Sequence, residues 1–155
     1  MAADTDSFQE MLPELLSSGG GRLFPFGAAL AQGGQQPRTV WNALVGQLAT
    51  NPDSNPVIMG GFLSGLQTAN PAEVDAMLDD AVTNPALITW FPYLQASVLI
   101  DDKGLARIHR SLELGHSPIE RYSHLAWGRA SDPISGPAFR DLVMAICAKG
   151  GIDSA

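Results

Sequence analysis

The feature that most restricts this chain is its helix punctuation. A residue able to cap a helix stands directly before proline at Asn55-Pro56, Asn70-Pro71, Asn84-Pro85, Ser117-Pro118 and Asp132-Pro133. Such a cap accepts a backbone N–H that the first helical turn leaves without a partner, and proline at the first helical position sacrifices no donor. Asn70 with Glu73, and Ser117 with Glu120, also have the spacing of a capping box. Behind the starts lie apolar residues at i, i+3, i+4 and i+7. Trp41, Leu44, Val45 and Leu48 form one such stripe, and Met59, Phe62, Leu63 and Leu66 another. Val74, Met77, Leu78 and Ala81 repeat it, as do Phe139, Leu142, Val143 and Ile146. Each paints one face of a helix of three to four turns. Other stripes end on Gly33, Gly115 and Gly128, where glycine accepts a left-handed cap.

No run alternates apolar and polar residues long enough to make a half-buried strand, so the fold class is all-α. The starts and stops predict helices over 7–17, 22–32, 38–50, 56–68, 71–82, 85–99, 102–114, 118–128 and 137–148. Pro92 should kink or split the sixth. Helices of this length with short connections make antiparallel hairpins. The hairpins recur every 29 to 35 residues along the sequence. That period predicts hairpins stacked as an irregular HEAT/armadillo-like right-handed solenoid, with a closed helical bundle as the competing arrangement. The tetratricopeptide variant fails, because its Trp, Gly–Tyr and Ala–Phe positions do not recur in phase. The expected organisation is an N-terminal helix and flexible Gly-rich joint over 1–21, a helical-repeat domain over 22–150, and a disordered tail over 151–155.

Composition bounds the class of function. With 155 residues and 45% hydrophobic content the chain can bury a core, yet only 16% of it is charged. The net charge of −7 is unevenly spread. Residues 1–102 hold eleven acids and two bases, whereas 103–155 hold seven bases and five acids. The acidic part argues against a nucleic-acid partner. No apolar run reaches the length of a membrane span, so no membrane partner is expected. The acidic start, with Asp4, Asp6 and Glu10, lacks the basic and apolar pattern of a secretory signal, and the expected location is cytoplasmic. The lone Cys147 excludes a disulfide framework and reads as a buried inert thiol.

Catalytic templates fail one after another. Gly60 to Gly65 has the glycine spacing of a phosphate loop but continues into Leu66-Gln67 in place of Lys and Ser/Thr. Gly115-His116-Ser117 resembles the front of a nucleophile elbow, but position 119 is Ile and no strand precedes it. His116, Glu120 and His124 are four apart and would align for a metal on one continuous α-helix, but Pro118 and the cap at Ser117 leave His116 outside it. His109 falls on the stripe of Leu105, Ile108 and Leu112, the place of a hydrogen-bonded core imidazole. Glu73, Asp75, Asp79 and Asp80 share one outward face, which suits solubility or a basic partner better than acid–base catalysis. No catalytic residue, cofactor or metal is therefore assigned.

The densest aromatic spot is Trp90, Phe91 and Tyr93 around Pro92. Core packing at a bent helix explains it, and so does an interface anchor, since Trp, Tyr and Arg supply most hot spots. The stretch from Gly60-Gly61-Phe62-Leu63 through Asn84-Pro85 and Gly104-Leu105-Ala106-Arg107 to Tyr122-Ser123-His124-Leu125-Ala126-Trp127-Gly128-Arg129 resembles the helical-repeat arrays of large bacterial STAND-type NTPase proteins. The resemblance covers roughly residues 22–148. It implies a recognition array, in some relatives a phage sensor, with no nucleotide-binding module in this chain. The expected function is thus a non-catalytic scaffold that binds a protein or peptide, with Trp90, Tyr93, Arg107, Arg110, Arg121 and Arg129 as partner-binding candidates. A small helical-bundle enzyme or metal-binding protein using His116, Glu120 and His124 is the alternative. Self-association through the last helix is a further expectation, because that helix has no evident hairpin partner.

Overall fold

The structure, a computed structural model, describes residues 10, 22–33, 36–51, 56–126 and 129–150. Eight helices and no strand occur among them. They are α1 (Leu23–Gln32), α2 (Pro37–Thr50), α3 (Val57–Gln67), α4 (Pro71–Ala81), α5 (Phe91–Ala96), α6 (Asp102–Leu114), a 3-10 helix (Ile119–Ala126) and α7 (Gly136–Ala148). Apart from Glu10, which is helical, the expected helix over 7–17 falls outside the described residues, as do the joint up to residue 21, the cap at Asn55, the stop at Gly128 and the tail over 151–155. The chain divides into two compact units, residues 1–74 and 75–155, with the division inside α4.

In the first unit the predicted stripes are buried: Trp41, Leu44 and Leu48 on α2, and Met59, Phe62, Leu63 and Leu66 on α3. The Trp41 and Phe62 rings stack with centroids 6.3 Å apart. α1 and α3 approach so closely that their contact consists of backbone. A Cβ on Gly65 would lie 2.6 Å from the Ala28 oxygen, and one on Gly27 would lie 2.8 Å from the Phe62 nitrogen. One on Gly61 would collide with the Phe24 carbonyl. Gly61 and Gly65, within the stretch that fails as a phosphate loop, are thus part of the surface on which α1 rests. Arg38 pairs with Glu73 at 2.9 Å. Glu73 therefore supplies half a capping box: its N–H donates to the Asn70 side chain at 3.3 Å, while its carboxylate turns to Arg38.

In the second unit two boundaries differ from the expected ones. The helix predicted over 85–99 is confined to Phe91–Ala96. Asn84 accepts the Ala86 N–H at 2.9 Å and starts a run of turns, and Pro92 sits in the first turn of α5. Proline offers no N–H to the carbonyl four residues back, so the ladder cannot run through it. The helix predicted over 118–128 is a 3-10 helix over Ile119–Ala126, and Ser117 does not act as its cap. Its hydroxyl instead donates to the Ile88 carbonyl at 2.5 Å.

Caps elsewhere follow the chemistry with some shifts of position. Asp101 caps α6 by accepting the Gly104 N–H at 2.8 Å. Gly115 closes α6 in the left-handed region with φ 70°, whereas Gly33 ends α1 at φ −78° and needs no glycine. Asp132 does not start α7; Ser135 does, accepting the Ala138 N–H, while Asp132 accepts from Arg129 at 2.6 Å. The acidic face of α4 is also less open than expected. Arg107, 6% exposed, donates to Asp79 at 2.6 Å and to Asp75 at 2.9 Å, and Lys103 reaches Asp75 at 3.4 Å. Part of the charge asymmetry of the sequence is neutralised inside this unit.

Candidate functional site

Pro92 explains how the site is assembled. Pro92 has no N–H for the Ile88 carbonyl four residues back, and that carbonyl and the one of Thr89 beside it are both part-buried and require partners. Both are satisfied by side chains of the segment that follows α6. Ser117 donates to the Ile88 oxygen at 2.5 Å and Arg121 donates through Nη1 to the Thr89 oxygen at 2.7 Å. Two hydrogen bonds thereby dock the 3-10 helix against the start of α5.

A 3-10 helix has three residues per turn, so residues three apart eclipse and three faces result. Ile119, Tyr122 and Leu125 form the inner face, and Tyr122 and Leu125 are buried. Glu120, Ser123 and Ala126 form the outer one, with Glu120 and Ala126 exposed. Arg121 and His124 share the third, half-buried face. On the opposing element Trp90 and Tyr93 are likewise three apart. The two pairs meet as a ladder of two rungs. The Arg121 guanidinium carbon lies 3.5 Å from the Trp90 ring centroid, and the Tyr93 and His124 rings meet edge-on with centroids 5.4 Å apart. A cation over an indole face is attracted by the ring quadrupole.

The electrostatics of the ladder are those of a site with spare positive charge. Burial lowers the Arg121 pKa, and no described carboxylate forms an ion pair with it. His124 is held below its ordinary value, first by burial and then by the charge of Arg121 on the same face. Burial raises the Tyr93 pKa. Of the six partner-binding candidates the structure therefore gathers Trp90, Tyr93 and Arg121. Arg107 is elsewhere: burial pulls its guanidinium down, but the bonds and charges of Asp79 and Asp75 outweigh this and raise its pKa. Its Nε and Nη2 donors are spent within the fold. Arg110 is exposed on α6, and Arg129 is exposed and paired with Asp132.

His116, Glu120 and His124 are not brought together. No group of three His, Cys, Asp or Glu side chains able to hold a metal exists among the described residues. The physical reason is the helix type. Four residues in a 3-10 helix turn the chain about 120° past alignment, against about 40° in an α-helix. Glu120 and His124 thus lie on different faces. His109 and Cys147 are half-buried on α6 and α7.

A second polar cluster adjoins the ladder on the inner face. The Ser111 hydroxyl lies 2.6 Å from the Tyr122 hydroxyl and 3.4 Å from that of Ser117. Burial raises the Tyr122 pKa, opposed by the bonds to Ser111 and Ser117. Neither this trio nor the place of His124 beside Tyr93 follows from the motifs of the sequence. The signal available was the matched spacing of Trp90 with Tyr93 and of Arg121 with His124, together with the Ile88 carbonyl that Pro92 leaves without its helical donor. No family model, curated protein or solved structure matches the chain. Among the described residues no helix is long and apolar enough to cross a membrane.

Proposed function

We propose that this chain is a non-catalytic recognition module that binds an acidic protein or peptide segment across the Trp90–Arg121 and Tyr93–His124 ladder. The observation that carries the reading is the half-buried Arg121. It is pressed flat on Trp90, fixed to the Thr89 carbonyl, and paired with no described carboxylate. A guanidinium has five donors in a rigid fork, and one bond to Thr89 leaves the others for a partner's carboxylate. Trp90 and Tyr93 add rigid aromatic area of the kind found at interface anchors. The helical-repeat, HEAT/armadillo-like arrangement and a place within a bacterial STAND-type sensor belong to the same proposal, and the recurrence of hairpin starts supports them. So do a cytoplasmic location and the absence of a nucleic-acid partner.

Selection from a displayed peptide library tests the reading. Acidic peptides should be enriched, and Arg121→Glu should abolish their capture. Arg121→Lys should weaken it, because an ammonium keeps the charge and loses the flat stack. Enrichment of neutral or basic peptides, or equal capture by Arg121→Glu, overturns the proposal.

Self-association through α7 is a second reading. It is favoured by the exposure of Met144, at 62%, and Phe139, at 36%. A sedimenting species that stays monomeric at high concentration excludes it.

A further inference from the structure

The hydroxyl cluster of Ser111, Ser117 and Tyr122 opens on one side into a pocket of about 280 Å3, lined by Leu112, Gly115, Ser117, Ile119, Tyr122 and Lys149. The volume lies near the lower edge of the roughly 300–1,000 Å3 typical of small-molecule sites. Proton placement in the cluster decides what the pocket offers. Ser117 has one hydroxyl hydrogen, and the Ile88 carbonyl takes it. For the 3.4 Å contact to be a hydrogen bond, Ser111 must then donate to Ser117. The 2.6 Å contact in turn requires Tyr122 to donate to Ser111. All three contacts are hydrogen bonds in one arrangement alone, running from Tyr122 through Ser111 and Ser117 to the Ile88 oxygen. Every hydroxyl hydrogen is consumed inward.

Ser117 and Tyr122, both lining residues, therefore keep no hydroxyl hydrogen to donate and can meet a ligand's polar group only as acceptors. Leu112 and Ile119 supply apolar wall. Lys149, exposed at the end of α7, forms an ion pair with no described carboxylate and brings three donors on a cation. The lining thus combines hydroxyls that can only accept, apolar side chains and a cation.

We propose that this pocket binds a small, single-ring carboxylate with a hydrogen-bond donor at its far end: the carboxylate meets Lys149, the ring lies against Leu112 and Ile119, and the donor reaches Tyr122 and Ser117. The proposal stands apart from the ladder. Tyr122 and Ile119 lie on the inner face of the 3-10 helix, whereas Arg121 and His124 lie on another, and either reading can fail without the other.

The test titrates the whole chain with 4-hydroxybenzoate, 4-aminobenzoate, benzoate, benzamide and benzylamine, followed by the methyl NMR signals of Leu112 and Ile119. The two substituted benzoates should shift these methyls and bind tightest. Benzoate should bind more weakly for want of the donor, and benzamide and benzylamine should leave the methyls unmoved. Lys149→Gln, at an exposed position that leaves the fold intact, should weaken 4-hydroxybenzoate about tenfold, the loss expected for one charge-assisted hydrogen bond. Arg121→Glu should leave that affinity unchanged. Methyls unmoved by any benzoate, equal response to the amine and amide, or unchanged affinity in Lys149→Gln each overturn the proposal.

Discussion

Replacing Gly61 by alanine tests the close crossing of α1 and α3, and Gly46→Ala is its internal control. Both glycines lie inside helices, where alanine gains about 0.5–1 kcal/mol from lower chain entropy and better propensity. Around Gly46 an added Cβ meets nothing within 4 Å, so the gain should appear in full. At Gly61 the same atom would lie 2.8 Å from the Phe24 carbonyl carbon, 3.0 Å from its Cα and nearer still to its oxygen. Ordinary carbon contacts are about 3.5–4.0 Å, so the two helices must part by about 1 Å. A gap of that size forfeits a quarter to a half of each dispersion well along the contact. Overpacking of a core costs about 1–3 kcal/mol, and the obstacle here is backbone, which has no rotamer through which to escape. A cost near the top of that range, less the propensity gain, leaves Gly61→Ala about 2 kcal/mol less stable than the native chain. For a chain of 155 residues this corresponds to a melting temperature lower by about 4–8 °C, against a rise of about 1–4 °C for Gly46→Ala. Thermal and urea unfolding followed by far-UV circular dichroism measure both. A Gly61→Ala protein that melts at or above the native temperature refutes the backbone contact.

Other perturbations reach the second unit. Ser117→Ala strands the Ile88 carbonyl and should cost about 1–3 kcal/mol; in a Pro92→Ala background the cost should shrink, because residue 92 then has an N–H for that oxygen, and a double-mutant cycle in urea reads the difference. Arg107→Ala should destabilise by about 2–3 kcal/mol, below the 3–5 kcal/mol of a fully buried pair because Asp79 and Asp75 keep some water, while Arg107→Met, which retains the packed stem, should lose less. His124 has a folded-state pKa below its ordinary 6.5, so the fold favours the neutral ring. Its stabilisation is present above 6.5 and is lost as pH falls through the folded value, and urea midpoints of His124→Phe should show a shallower decline there. Gly115→Ala should cost about 1 kcal/mol through the left-handed φ of 70°, seen as a lower urea midpoint at unchanged slope.

The legible parts of the fold were those governed by local chemistry. The apolar stripes of α2, α3, α4 and α6 set helices whose ends fall close to the expected ones, since a 3.6-residue period and a cap act within a few residues of themselves. Gly115 closes α6 where the end of the stripe predicts a stop, through a bond from its N–H to the Ser111 carbonyl of the same helix. Ser117 shows where local reading stops. Its sequence context is that of a helix cap, but the Ile88 carbonyl orphaned by Pro92, 29 residues earlier in the chain, offers its hydroxyl a part-buried acceptor. A hydrogen bond to a part-buried, otherwise stranded group outweighs one to an N–H that water can reach.

For the candidate site the division is similar. Residue types alone picked out Trp90, Tyr93 and Arg121, because flat aromatics and guanidinium suit recognition wherever they occur. They also picked out Arg107, Arg110 and Arg129, since charge carries no address. Tertiary structure spent Arg107 on Asp75 and Asp79, paired Arg129 with Asp132, and left Arg121 on Trp90. It also replaced an expected α-helix by a 3-10 helix, which rotated Glu120 and His124 onto separate faces and set His124 beside Tyr93. The sequence by itself determined the helical class, the principal stripes and the caps at Asn70 and Gly115, all consequences of interactions spanning a turn or less. The three-dimensional fold alone decided which polar groups answer one another across the chain, because a buried donor or acceptor takes whichever partner the packing delivers.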